Sequence, residues 1–166
     1  YEAIFGRHFI SPGGLDSTRR FLELVQLGPE SCVLDVGCGI GGSAFYMARN
    51  FGCAVDGIDL SSEMIRVARQ RAKEEELETK VQFFEGDCLT VQYPRHEYHL
   101  IYSRDVFLHI PDKRVLLAAL RRNLAPAGRL LFTDYIRGHA APSKEFQAYV
   151  DKHGYSLENL ESYRGL

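Results

Sequence analysis

The chain has 166 residues, 45% of them hydrophobic and 25% charged, and a formal net charge of −2. That length supports one domain with a real core and not two. No apolar run approaches the roughly 18 residues of a membrane span, and so small a net charge gives no general attraction for nucleic acid or an anionic membrane. The opening Tyr1-Glu2-Ala3-Ile4-Phe5-Gly6-Arg7 lacks the layout of a signal peptide and has no initiator Met, so the sequence is expected to start inside a longer natural chain. Cys32, Cys38, Cys53 and Cys88 form no C-x-x-C pair and meet no histidines at zinc-finger spacing. They are expected to be reduced thiols of a cytoplasmic protein, with no metal bound.

In chain order, Thr18 to Leu27 places Phe21, Leu24 and Val25 on one helical face, stopped by Gly28-Pro29. Cys32 to Val36 is a short apolar run ending at glycines and reads as a buried strand. Ala44, Met47, Ala48 and Phe51 then fall at helical spacing, and Ala54 to Ile58 is the second strand. Ser61 is positioned to cap a helix with Met64, Val67, Ala68 and Ala72 inward and Glu63 suiting its positive N-terminus. The basic residues from Arg66 to Lys73, balanced by Glu74-Glu75-Glu76, read as its solvated face. Val81 to Phe84 and Tyr98 to Tyr102 are the third and fourth strands. Pro111-Asp112 opens a helix burying Leu116, Ala119, Leu120 and Leu124, ended by Pro126 and Gly128, and Leu130 to Thr133 is the fifth strand. Ser143 caps a last helix with Phe146, Tyr149 and Val150 on one side, closed by Gly154. Strands separated by helices of this length imply right-handed crossovers and a mostly parallel α/β sheet with helices on both faces.

The run Val33-Leu34-Asp35-Val36-Gly37-Cys38-Gly39-Ile40-Gly41-Gly42 sits at the first strand-to-helix turn. Glycines there permit a tight turn and let a ligand approach the backbone. Ligands of open α/β sheets bind at the carboxyl ends of the strands, beside the switch in strand order. Alone, G-x-G-x-x-G also fits a nicotinamide or flavin site. Three acids at successive strand ends tilt the balance. Asp35 precedes the first glycine by two residues and can meet a ligand ammonium, Asp59 can accept bonds from ribose hydroxyls, and Asp87 ends the third strand. The bland alternative is that these aspartates cap turns and helices.

Residues 32 to about 135 resemble the class I methyltransferase superfamily, whose cofactor is S-adenosylmethionine, with S-adenosylhomocysteine as product. The flanks are more specific. Tyr1-Glu2-Ala3-Ile4-Phe5-Gly6, Phe9-Ile10-Ser11-Pro12-Gly13-Gly14, Tyr102-Ser103-Arg104-Asp105, Leu108-His109-Ile110 and Thr133-Asp134-Tyr135 resemble the phosphoethanolamine N-methyltransferase family, which makes phosphocholine by successive methylation. The resemblance implies a Rossmann-like class I methyltransferase fold lacking its C-terminal strands. It is a single domain over 1–166, with an N-terminal lid (1–29), a cofactor-binding core (30–136) and the start of a substrate-covering segment (137–166).

It also implies residue roles. Ile10 and Ser11 close over the cofactor; Asp35, Gly37, Gly39, Asp59, Leu60, Asp87, Cys88 and Arg104 line its pocket. His109 and Asp105 are the expected catalytic residues, while Tyr1, Tyr135, Tyr155 and His153 face a small-molecule phosphobase. His153 stands where the family pattern has arginine, and histidine is shorter and only partly charged at neutral pH. The family's tyrosine partner of His109 falls upstream of Tyr1, and a phosphate-binding lysine falls beyond Leu166, so this chain is expected to be weak or inactive in turnover. A monomer is expected, without nucleic acid or membrane partners. On the residues alone, bland readings stand beside these: His109 as a buried histidine, Asp105 as a cap, Tyr135 and Tyr155 as half-buried aromatics, Arg104 paired with a surface acid. So do a class I enzyme for another small molecule and a non-catalytic S-adenosylmethionine-binding domain.

Overall fold

The computed structural model describes residues 2–166; Tyr1, one of the expected substrate contacts, lies outside them. Five strands, β1 (Cys32–Val36), β2 (Ala54–Asp59), β3 (Val81–Glu85), β4 (Tyr98–Arg104) and β5 (Leu124–Thr133), form one parallel sheet in the order β3-β2-β1-β4-β5. The order reverses beside β1, so the carboxyl ends of β1 and β4 flank the switch point, where a ligand crevice opens in such sheets. Among the described residues seven α-helices connect or flank the strands: α1 (Glu2–Phe5), α2 (Gly14–Leu22), α3 (Gly42–Phe51), α4 (Ser62–Glu74), α5 (Lys113–Arg121), α6 (Lys144–His153) and α7 (Leu160–Arg164). Among the described residues no helix is long and apolar enough to cross a membrane.

Alternation along the strands feeds two cores. Val33, Val55, Val81 and Phe83 join Phe45, Met47, Ile65 and Ala68 of α3 and α4 on one face. Leu34, Val36, Ile58 and Ile101 join Leu116 and Leu120 of α5 on the other. Each such large apolar side chain contributes roughly 1.5–3 kcal/mol when fully withdrawn from water. The caps follow the sequence: Ser61 accepts from Met64 N at 3.3 Å, Asp112 from Val115 N at 2.9 Å and Ser143 from Phe146 N at 3.1 Å. Gly154 ends α6 at φ +65°.

Four expectations are corrected. The first long helix runs Gly14–Leu22 instead of Thr18–Leu27, and Leu24 is 66% exposed. Its register is set by Thr18, buried and bonded to Gly14 O, which no apolar period reveals. α5 stops at Arg121, and Pro126 and Gly128 interrupt a strand instead of ending a helix. Tyr98 pairs with Leu124 while Leu100 pairs with Arg129, so the intervening Ala125–Gly128 bulge out. On α6 only Val150 is buried; Phe146 and Tyr149 are 43% and 52% exposed.

The fourth concerns the charged face of α4, which is an anchor for the N-terminal segment. Both guanidinium ends of Arg71 donate to the Glu2 carboxylate at 2.6 Å. Glu75 receives His8 Nε2 at 2.8 Å, Arg7 at 2.8 Å and Arg49. The His8 ring also approaches Arg71 through Nδ1 at 3.2 Å. Burial pushes the His8 imidazole down from its ordinary pKa against the pull of Glu75, which favours the neutral ring with Nε2–H donating to Glu75.

Two measurements probe these contacts. Asp56, 1% exposed, accepts from Tyr98 OH at 2.8 Å and faces Arg95 Nε at 3.2 Å. Tyr98→Phe strips one donor from a buried carboxylate, and urea titration should show a loss of about 1–3 kcal/mol. The second is pH. The Arg71 guanidinium holds Glu2, and the Arg49 guanidinium holds Glu75, at about 2 from an ordinary 4.5. The unfolded chain takes up protons below about 4.5 that the folded chain refuses until about 2, so these acids contribute stability above 4.5 that is lost through that window. Thermal midpoints between about pH 5 and about pH 3 should therefore fall less steeply in Arg71→Ala than in the unaltered chain.

Candidate active site

The glycine run forms the turn from β1 into α3. Gly37 N and Cys38 N both donate to Ile58 O, at 2.8 and 3.0 Å, tying the loop to β2. Gly39 has φ +53°, and a Cβ there would lie 2.7 Å from Ile10 Cδ1; one at Gly42 would lie 2.4 Å from His8 O. Neither position has room for a side chain, because the segment before α2 lies directly across the loop.

Asp59 joins the loop to α4: Oδ2 accepts from Gly39 N and Oδ1 from Ser61 N, both at 2.9 Å. Leu60 beside it is 73% exposed. Gly86 N donates to Asp59 O at 3.0 Å, bringing the end of β3 alongside, where Asp87 accepts from Leu89 N at 2.9 Å and Cys88 is buried. Asp59 and Asp87 thus both serve their turns, and neither lines the cavity beneath the glycine loop. Burial pushes the Cys88 thiol up to about 11 and the Cys38 thiol well above its ordinary range, so neither suits a thiolate nucleophile.

Asp35 is different. It is 2% exposed, and its Oδ2 has no hydrogen-bond partner. Burial pushes its carboxyl up to about 7, against the pull of the Arg104 guanidinium and helped by the Asp59 charge. Arg104, 7% exposed, spends its guanidinium on the strap: NH1 donates to Gly14 O at 2.9 Å and Thr18 Oγ1 at 2.8 Å, and NH2 to Pro12 O. Among the described residues it pairs with no surface acid. Ile10, Ser11, Asp35, Gly37, Gly39 and Arg104 line one cavity with His8 and Ser43, of about 30 Å³. That is room for about one water, an order of magnitude below an ordinary ligand pocket of roughly 300 Å³ or more, because the strap covers it.

The second half of the site lies at the carboxyl ends of β4 and β5. Asp105 sits at φ +55°, an uncommon conformation for a non-glycine residue. It is held there by Asp105 N donating to Thr133 O at 3.0 Å and Thr133 Oγ1 donating to its Oδ1 at 2.8 Å. It caps no helix. The 3-10 turn Phe107–His109 buries Phe107 and Leu108 and leaves His109 exposed, so the buried reading of that histidine is wrong. The His109 ring meets Tyr155 edge-on at 5.3 Å, and Tyr155 stacks on His153 at 5.4 Å. His153 Nδ1 lies 2.7 Å from Tyr149 O, and its ring lies 4.2 Å from that of Tyr149. Tyr135 is 49% exposed, its N–H bonded to Asp134.

Several residues at the site escaped the sequence. His8 lines the cavity through contacts with residues more than sixty positions away. Tyr102 places its buried hydroxyl near Asp35; burial and that carboxylate push it up to about 12. Asp134, Lys113 and Tyr163 are tied around the His109 turn. Only Tyr102, inside the Tyr102-Ser103-Arg104-Asp105 segment, and Asp134, inside Thr133-Asp134-Tyr135, could have been singled out in advance.

A model of the methyltransferase domain matches residues 33–128, from the start of β1 to the bulge of β5. The chain is 45% identical to a phosphoethanolamine N-methyltransferase of Triticum aestivum over 163 residues, which is 98% of this chain and 32% of that protein. Two structures of phosphoethanolamine N-methyltransferase 2 from Haemonchus contortus, each 36% identical, superpose with TM-scores of 0.92 and 0.93 over 99% of this chain. The first contains S-adenosyl-L-methionine, and the second phosphomonomethylethanolamine with S-adenosylhomocysteine; this chain covers 38% and 39% of them. It spans about a third of the length of the wheat relative. With a glycine turn, three strand-end aspartates and the parallel sheet that positions them, the chain belongs to the methyltransferase-domain family.

Proposed function

We propose that this chain is the catalytic domain of an S-adenosylmethionine-dependent N-methyltransferase acting on phosphoethanolamine or its mono- and dimethyl forms, towards phosphocholine. The observation that carries the reading is the buried Asp35 carboxylate, with one oxygen unpartnered, under a glycine turn at the switch point. A buried acid without a partner is costly unless a cation completes it, and the ammonium of an amino-acid-bearing cofactor supplies one. Ile10, Ser11, Gly37, Gly39 and Arg104 would enclose the methionine part, Asp59 with Leu60 the ribose, and Asp87 with Cys88 the adenine. When bound, S-adenosylmethionine supplies an electrophilic methyl group on a sulfonium.

The residues beyond β4 and β5 handle the amine. An alkylammonium is not a nucleophile, so a proton must leave before nitrogen attacks. Asp105, fixed by Thr133, attracts the ammonium, and the exposed imidazole of His109, set against Tyr155, accepts the proton. Holding the nitrogen in line with the methyl group supplies much of the rate. Tyr135, Tyr155 and His153 offer donors for the phosphate. The relatives' phosphobase names and the bound phosphomonomethylethanolamine in the Haemonchus structure support this substrate class.

Calorimetry tests the reading directly. S-adenosylmethionine should bind, and phosphoethanolamine should bind to that complex. Cofactor binding without any phosphobase binding would leave a cofactor-binding module, and binding of NADH alone would return the site to a dehydrogenase. Cofactor affinity should rise with pH through about 7, since only ionised Asp35 pairs with an ammonium. Asp35→Asn should bind about tenfold or more weakly and lose that slope. Where turnover is measurable, His109→Gln should lower kcat by about 10²- to 10⁴-fold near neutral pH. The loss should shrink as pH rises and the substrate amine loses its proton unaided.

A further inference from the structure

The His109 turn is pinned at successive backbone groups by residues that reach no part of the crevice. Leu108 N donates to Asp134 Oδ1 at 2.9 Å, and Tyr135 N donates to the same oxygen at 3.0 Å. Asp134 Oδ2 accepts from the Tyr163 hydroxyl, which α7 brings from the end of the chain. From the other side Ser156 N donates to Leu108 O at 2.7 Å. Lys113, 3% exposed, donates through Nζ to Ile110 O at 2.6 Å and Ser156 O at 2.8 Å. The residues on either side of His109 are therefore fixed, and Tyr155, whose ring meets the imidazole, immediately precedes the stitched Ser156.

The physical need for an acid at 134 is specific. Three donors converge on one side chain, two backbone amides on one oxygen and a phenol on the other. An amide in its place offers one acceptor oxygen and meets the phenol with its NH₂. Burial pushes the Asp134 carboxyl upward, opposed first by the Tyr163 hydrogen bond, while the nearby Lys113 ammonium also favours its charge. A half-buried carboxylate held this way sets geometry at some cost, as positioning groups at active sites do.

We propose that Asp134, with Tyr163 and Lys113, is the positioning assembly for His109. It holds the 107–110 turn so that the imidazole stands edge-on to Tyr155, and it couples that angle to the backbone of Tyr135. The inference rests on the methyl-transfer reading above for its catalytic consequence, and on the hydrogen bonds alone for its geometry.

The test has two arms in this 166-residue chain. In NMR spectra of Tyr163→Phe and Asp134→Asn, the cross-relaxation between the His109 and Tyr155 rings should be lost or strongly weakened, while that across the β1–β4 pair persists. In assays with phosphoethanolamine, both variants should lose about ten- to a hundredfold in kcat with the KM for S-adenosylmethionine unchanged. Adding His109→Gln to Asp134→Asn should cost no more than His109→Gln alone, the non-additivity of a residue acting through another. Unchanged ring contacts in both variants, or full additivity in the double variant, would overturn the assembly. Should Asp134→Asn fail to fold, Tyr163→Phe, one hydroxyl on a short surface helix, carries the test. An unaltered chain that binds no phosphobase would sink the substrate reading, and the ring contacts alone would then decide this one.

Discussion

The site is organised around one buried guanidinium. Arg104 ends β4 at the switch point, and from there its side chain reaches back about ninety positions to Pro12, Gly14 and Thr18. That reach fixes the start of α2, lays Ile10 over Gly39 and roofs the Asp35 carboxylate. The same positive charge opposes the burial that would otherwise drive Asp35 further towards its neutral form. A buried arginine is costly to desolvate unless its donors are satisfied; here carbonyls and a hydroxyl from the start of α2 and the loop before it satisfy most of them, so that segment is held by the charge it covers. Glycines at 39 and 42 are then required by close approach of that loop as much as by any ligand.

Much of this architecture was legible beforehand, for physical reasons. Strands read as short apolar or alternating runs, and Cys32 to Val36, buried along its length, and Val81 to Phe84, buried on one face, end within a residue of their observed limits. Side-chain caps are local, so Ser61, Asp112 and Ser143 could be recognised from three or four residues. Elements governed by distant partners could not. The start of α2 depends on Arg104, the bulge in β5 on pairing with β4, and the charged face of α4 on Glu2 and His8. Periodicity registers apolar burial but carries no record of a salt bridge sixty-nine residues long in sequence.

The candidate site divides the same way. The residues at strand ends, Asp35, Asp59 and Asp87, announce themselves because topology places them. His109, Tyr155 and His153 come from a 3-10 turn, a loop and a helix end, and only resemblance to a family brought them together before their rings were seen in contact. Asp134, which bonds the backbone beside His109, was quoted in a motif without a role, because its partners lie in three places along the chain.

The strap over the pocket has a kinetic meaning. A cavity of about 30 Å³ cannot be entered by an adenosyl ligand while Ile10 rests on Gly39. Entry and exit both require the same few contacts to part: Arg104 from the carbonyls of Pro12 and Gly14, Glu2 from Arg71, His8 from Glu75. Contacts that hold the empty pocket shut compete with any ligand for it, so they slow entry and lower affinity by the fraction of molecules that is closed. Residues such as Glu2 and Glu75, which line no part of that cavity, then weigh on how readily it opens.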